Sequence, residues 1–92
     1  MTLPARSAVL NEVYKAGSLS VNQAMENLKP IYGSERQFKK NLFIEHFMSL
    51  EAVDLIVLEK YELDEQEEIN LYYSITEAGK EVTEKYIPKQ YH

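Results

Sequence analysis

Within eight consecutive positions, Ser34, Arg36, Gln37, Lys39, Lys40 and Asn41 gather a hydroxyl, three cations and two carboxamides. Guanidinium and ammonium groups satisfy phosphate oxygens and the acceptor edge of guanine, carboxamides match adenine, and a Ser-capped helix start faces a phosphate. If the chain is helical from residue 35, Arg36, Lys39 and Lys40 share one sector of the helical wheel with Gln37 and Asn41 beside it. That is the residue set of a helix that enters the major groove of duplex DNA. It is also a set that an ordinary solvated helix face can carry, and three cations in five positions do not separate the two readings.

Other chemistries lack their parts. The chain has no cysteine, so disulfides, thiolate zinc sites and a cysteine nucleophile are excluded. His46 and His92 are the only histidines, with no second ligand at metal spacing, and no phosphate-binding glycine loop or nucleophile elbow occurs. The expectation is no enzyme, no metal and no cofactor, with His46 a partly exposed structural residue and His92 a mobile terminal one. Glu65, Glu67 and Glu68 sit in a polar stretch where carboxylates stay ionised and aid solubility.

The 92 residues amount to one domain, and 45 % hydrophobic with 27 % charged residues is an ordinary globular composition. The apolar run Val53–Leu58 is far short of a membrane span, and Met1-Thr2-Leu3-Pro4 lacks the layout of a secretory signal, so a cytoplasmic, soluble protein with no membrane partner is expected. The net charge of −5 is unevenly spread. Residues 1–53 hold six Lys and Arg against five Asp and Glu, and residues 54–92 hold four against ten. Global acidity counts against a nonspecific polyanion binder but leaves room for a local basic patch.

Periodicity and punctuation give the elements that would position these residues. Pro4 opens a helix whose apolar stripe is Ala5, Ala8, Val9, Val13 and Ala16, and Gly17 stops it. Ser20 and Gln23 form a capping box for a second helix over 21–29, ended by Pro30. Ser34 and Gln37 repeat that signature, which predicts a third helix over 35–53, with Phe43, Phe47 and Leu50 inward and a C-terminal half apolar nearly all round. Residues 55–63 and 69–75 read as antiparallel strands around an acidic turn at 64–68. Ile69, Leu71, Tyr73 and Ile75 are expected inward, and Asn70, Tyr72 and Ser74 outward. Thr76 caps a last helix over 77–87, closed by Pro88.

Leu50-Glu51-Ala52-Val53-Asp54-Leu55-Ile56 is similar to the junction at which winged helix-turn-helix proteins pass from the recognition helix into the first wing strand. Asp54 stands where the family has glycine, and Asp accepts the left-handed conformation more readily than most residues. Tyr73-Ser74-Ile75-Thr76-Glu77-Ala78-Gly79-Lys80 resembles the phrase with which prokaryotic PadR- and MarR-like members leave the wing. The resemblance covers nearly the whole chain. It implies an α+β winged-helix domain of three helices, a two-stranded hairpin wing and a C-terminal helix, acting as a DNA-binding transcriptional regulator. The recognition helix would then carry Ser34, Arg36, Gln37, Lys39, Lys40 and Asn41.

The implied wing departs from that pattern. Residues 59–68 hold Glu59, Glu62, Asp64, Glu65, Glu67 and Glu68 against Lys60 alone, and a duplex would repel them. This opens an alternative in which acidic wing and tyrosines bind a basic protein partner. Tyr61, Tyr72, Tyr73, Tyr86 and Tyr91 fall in the acidic half. Tyr61 and Tyr72 are equally readable as cross-strand partners, and Tyr73 and Tyr86 as core. A homodimer is expected through the terminal helices, where Leu10, Tyr14, Val82, Tyr86 and Ile87 exceed one core stripe.

Overall fold

A computed structural model describes residues 2–92, and Met1 lies outside them. The described residues form four α-helices and a three-stranded antiparallel sheet in the order α1 (Ala5–Ala16), β1 (Ser18–Ser20), α2 (Val21–Tyr32), α3 (Lys40–Ala52), β2 (Ile56–Leu63), β3 (Ile69–Ile75) and α4 (Glu77–Tyr86), with a 3-10 turn at Lys89–Tyr91. No helix is long and apolar enough to cross a membrane among the described residues.

Pro4 precedes α1, and its carbonyl accepts from the Ala8 amide at 2.9 Å. Gly17 ends the helix at φ 81°, a conformation that costs a residue without Cβ nothing. The reversal feeds Ser18, Leu19 and Ser20 into β1, which pairs antiparallel with β3 (Ser18↔Ser74, Leu19↔Tyr73, Ser20↔Tyr72). This third strand was not anticipated. Three residues carry no alternation to read, and the strand exists because β3 offers it a ladder.

Ser20 does cap α2, its Oγ accepting from the Gln23 amide at 3.0 Å. The helix runs on to Tyr32 and not to residue 29. Pro30 forfeits one ladder bond, yet the Gly33 amide reaches the Lys29 carbonyl at 2.8 Å, and the last turn buries Tyr32. The Tyr32 hydroxyl donates to the Leu3 carbonyl, so burial outweighs the proline defect.

That extra turn displaces the next helix. Residues 33–39 are a run of turns, with Glu35 N to Tyr32 O at 3.0 Å and Phe38 N to Glu35 O at 3.1 Å. The expected start of α3 at residue 35 is therefore corrected to Lys40. Ser34 makes no cap, and the residue that precedes α3 is Lys39, with no side-chain capping bond. Phe38 instead folds back edge-on to Phe43, centroids 5.2 Å apart.

Within α3 the expected inward stripe holds: Phe43, Phe47 and Leu50 are buried. Asp54 turns the chain at φ 62°, the left-handed position expected of it. The sheet order is β1-β3-β2. Ile56 and Tyr73 close the core against α1 and α3, with the Tyr73 and Phe47 rings 5.2 Å apart.

Thr76 caps α4 as expected. Its hydroxyl accepts from the Gly79 amide at 2.9 Å and donates to the Asp54 carbonyl at 2.6 Å. A Cβ at Gly79 would stand 2.0 Å from the Leu55 carbonyl oxygen, so only glycine lets α4 sit this close to the α3–β2 junction. The helix ends at Tyr86. Ile87 is 6 % exposed and belongs to the core.

Candidate interaction surface

The β2–β3 register assigns the two faces of the hairpin. Ile56↔Ile75, Leu58↔Tyr73, Tyr61↔Leu71 and Leu63↔Ile69 oppose one another on the face that meets the helices. A bulge between Leu58 and Lys60 keeps this apolar set in phase. Val57, Lys60 and Glu62 lie on the other face, opposite Ser74, Tyr72 and Asn70. Tyr72 is thus opposite Lys60, which corrects the expected Tyr61–Tyr72 pair: the bulge shifts Tyr61 across to Leu71.

Burial along the apolar face falls off with distance from the helices. Ile56 and Tyr73 are 1 % exposed, whereas Tyr61, Leu63 and Ile69 are 68 %, 64 % and 55 % exposed. Ile69 was expected inward, and its phase is right, but the hairpin has outrun the helical layer there. Asn70, expected to be wet, is buried, because the start of α2 covers it and the Asn22 amide donates to its Oδ1 at 3.1 Å.

Polar contacts hold the tip. The Asp64 Oδ1 accepts from the Gln66 and Glu68 amides at 2.9 and 3.0 Å, and Oδ2 accepts from Asn22 Nδ2 at 3.2 Å. Lys40 Nζ lies 3.5 Å from Asp64 Oδ2 and 3.7 Å from Glu68. The Glu68 amide above all, with Asn22, Gln66 and Lys40, holds the Asp64 carboxyl below its ordinary value despite some desolvation. On the far face Tyr72 donates to Glu62 at 2.7 Å, which raises the phenol, and Lys60 Nζ stands 4.7 Å from its ring centre.

The residues singled out for DNA do not form one helical sector. Ser34, Arg36 and Gln37 lie in the turns before α3, Lys39 precedes its first residue, and only Lys40 and Asn41 are on the helix. Arg36 and Lys39 are exposed, with no ion pair among the described residues. Lys40 is taken up by the hairpin carboxylates. The outward row of α3 is Asn41, Glu45, Met48 and Ala52, which contains no cation.

Of the residues expected to pair two copies, Leu10 and Ile87 are spent in the core of one chain, and Val82 packs against it. Tyr14 donates to Glu84 at 2.9 Å, and Tyr86 alone of the five is widely exposed. His46 is half-buried and accepts at Nδ1 from Arg6 Nε at 3.3 Å; burial, then the neighbouring guanidinium, lowers its pKa. His92 is held, with Nε2 at 3.2 Å from the Thr83 carbonyl and its ring 5.1 Å from Tyr14.

Among the described residues no group of three His, Cys, Asp or Glu side chains is placed to hold a metal ion. A cavity of about 230 Å³ between α1, α2 and the C-terminal turn is walled by Leu3, Ala8, Leu28, Ile31 and Tyr32 on its apolar side and by Asn11, Glu12 and Lys15 among its polar residues. No protein-family model matches the chain, and no curated protein matches it.

The apolar tip was the feature that sequence reading missed. With α3 expected over 35–53, a helix about 28 Å long at ~1.5 Å per residue, the strand had cover along its whole length. The start at Lys40 shortens the helix to about 20 Å, against about 26 Å for β2 at ~3.3 Å per residue.

Proposed function

We propose that the chain is a winged-helix protein-interaction module that binds a basic protein through the apolar, acid-rimmed tip of its hairpin. The observation that carries this reading is the exposure of Tyr61, Leu63 and Ile69 on one face. The turn that joins their strands carries Glu65, Glu67 and Glu68, and Glu59 and Glu62 belong to the same hairpin, all exposed. Apolar side chains gathered in one exposed patch mark interaction sites, and a carboxylate rim selects cationic partners by attraction and rejects polyanions by repulsion. The element order α-β-α-α-β-β-α, the left-handed Asp54 and the Thr76 cap support the winged-helix likeness. The cation-free outward row of α3 weighs against its entry into a groove.

A photoreactive benzoylphenylalanine in place of Tyr61, irradiated in the host cell, tests the reading. A discrete adduct with a basic protein, lost in the Leu63→Asp and Ile69→Asp variants but kept in Ile31→Asp, is the expected result. A ladder of adducts unchanged by those variants would refute it.

One observation favours the second reading, sequence-specific binding of duplex DNA by a transcriptional regulator: Arg36 and Lys39 are exposed cations free of ion pairs among the described residues. Selection from a random duplex pool separates the two. An enriched sequence whose affinity falls in Arg36→Ala and Lys39→Ala, and does not change in Leu63→Asp, would replace the protein-partner reading. Pairing of two copies through the terminal helices would rest on Tyr14, Val82 and Tyr86, and sedimentation equilibrium reports it directly.

A further inference from the structure

β2 is the outermost strand of the sheet, and seven of its eight residues are exposed. An uncovered edge presents unsatisfied N–H and C=O groups, a template for one more strand. The hairpin turn decides which groups point outward. The Asp64 amide donates to the Glu68 carbonyl at 2.8 Å, so Asp64 is directed into the hairpin. Backbone direction alternates along an antiparallel strand, which turns Lys60 and Glu62 toward β3 and leaves Tyr61 and Leu63 with N–H and C=O facing out.

Outward residues must meet outward residues. Within the regular stretch Lys60–Leu63, a second copy of β2 can therefore pair antiparallel about a twofold axis centred on Tyr61, Glu62 or Leu63. Charge separates the three. Centring on Leu63 sets Glu62 opposite Asp64 twice. Centring on Glu62 sets the two Glu62 side chains against each other, and the Asp64 it offers to Lys60 is already held by Lys40 and the turn amides. Centring on Tyr61 sets Lys60 opposite Glu62 twice.

That last register is self-complementary. Lys60 lies 4.0 Å from Glu62 of its own strand, and both side chains are more than half exposed. Pairing adds the second copy's Glu62 beside Lys60, so each cation has two carboxylate neighbours and each carboxylate two cations. On the other face the two Tyr61 side chains meet, covering apolar surface that is exposed in one chain. Glu59, displaced in the bulge, comes opposite Leu63 and no carboxylate. Because the strands run antiparallel, the acidic turns point apart. The two Glu65 residues stand roughly 26 Å from each other at ~3.3 Å per residue, beyond the ~8 Å screening length of physiological salt.

We infer that two copies of the chain join by antiparallel pairing of their β2 edges about Tyr61, merging two three-stranded sheets into one of six strands. This goes beyond the protein-partner reading, since pairing uses the backbone edge and leaves the faces of Leu63 and Ile69 open. The contact is small beside the ~1,200–2,000 Å² of a stable interface, so the pair is weak and reversible.

The test is sedimentation equilibrium of the full chain up to about 1 mM, the weak end of specific association, with hydrogen exchange reading the edge. A dimer is expected at the upper end. Exchange of the Tyr61 amide should slow several-fold with concentration, while the Lys60 and Glu62 amides, bonded within the hairpin, do not respond. Lys60→Glu and Glu62→Lys should each abolish the pair, because each sets like charges opposite twice. An equimolar mixture of the two variants should restore it as a heterodimer, one edge acidic and the other basic. The intrachain Lys60–Glu62 contact cannot supply that rescue, since both variants lack it.

Monomer mass over the whole range would overturn the inference, as would a dimer that persists in both variants or is not restored by mixing them. A dimer lost instead in Tyr86→Ala would overturn it in favour of the terminal helices. Each of these failures leaves the protein-partner reading standing on its own crosslink.

Discussion

The base and the tip of the β2–β3 hairpin share one register and one kind of side chain, yet Ile56 and Tyr73 are 1 % exposed while Leu63 and Ile69 are 64 % and 55 % exposed. The base is covered by α1 and α3; the tip is held from one side by Asn22 and Lys40 reaching Asp64. Strand sequence sets which face a side chain takes, and the helices decide whether that face is dry. A tip fixed by polar contacts leaves its apolar side chains uncommitted to folding. Apolar residues of the base therefore stabilise the fold, and those of the tip contribute little to it.

The largest expected effect breaks the base. Phe47→Ala or Tyr73→Ala removes a fully buried ring from the junction of helices and sheet and should cost about 3–5 kcal/mol of unfolding free energy in urea titrations. Gly79→Ala should cost at least ~1–3 kcal/mol, because its Cβ meets a backbone oxygen that no rotamer change can move.

Caps give the next step down. Thr76→Ala loses both the bond from Gly79 and the bond to Asp54 and should cost about 1–2 kcal/mol. Ser34→Ala should change stability by less than ~0.5 kcal/mol, since the cap its signature announces is not made. Equal losses for the two would mean that α3 begins before Lys40.

The tip responds to acid through Asp64. The Asp64 carboxyl is lowered in the folded chain, so its support of the turn is fully present above its ordinary value of 3.8 and is lost as pH falls through the lower folded value. Amide shifts of Gln66 and Glu68 should include a step with a midpoint below 3.8 that is absent in Asp64→Asn. A midpoint at or above 3.8 would mean that the amide contacts are not formed in solution.

Much of this fold was legible from the chain. Strand phases, the Asp54 turn, the Ser20 and Thr76 caps and the inward stripe of α3 are local signals that the structure keeps. The misses share a physical cause, which is tertiary contact overriding local chemistry. Tyr32 burial carries α2 through Pro30 and so pushes the start of α3 to Lys40, undoing the single sector expected of Arg36, Lys39 and Lys40. β1 exists only because β3 pairs with it. Leu63 and Ile69 look like core in sequence because alternation reports phase and carries no information on how far the helices reach.

The smallest expected effect is the most telling for the contrast between base and tip. Leu63→Ser and Ile69→Ser, taken singly, should leave unfolding free energy within ~0.5 kcal/mol of the parent, because side chains that are more than half exposed give up little transfer free energy when trimmed. The same two changes should weaken partner binding, since an apolar anchor acts only when something covers it. A loss of about 2 kcal/mol or more in the isolated chain, the order of a core truncation, would mean that the tip is packed in solution, and the division between base and tip would fall. A neutral result with binding also unchanged would keep the division between base and tip and refute the protein-partner reading, which rests on those exposed side chains.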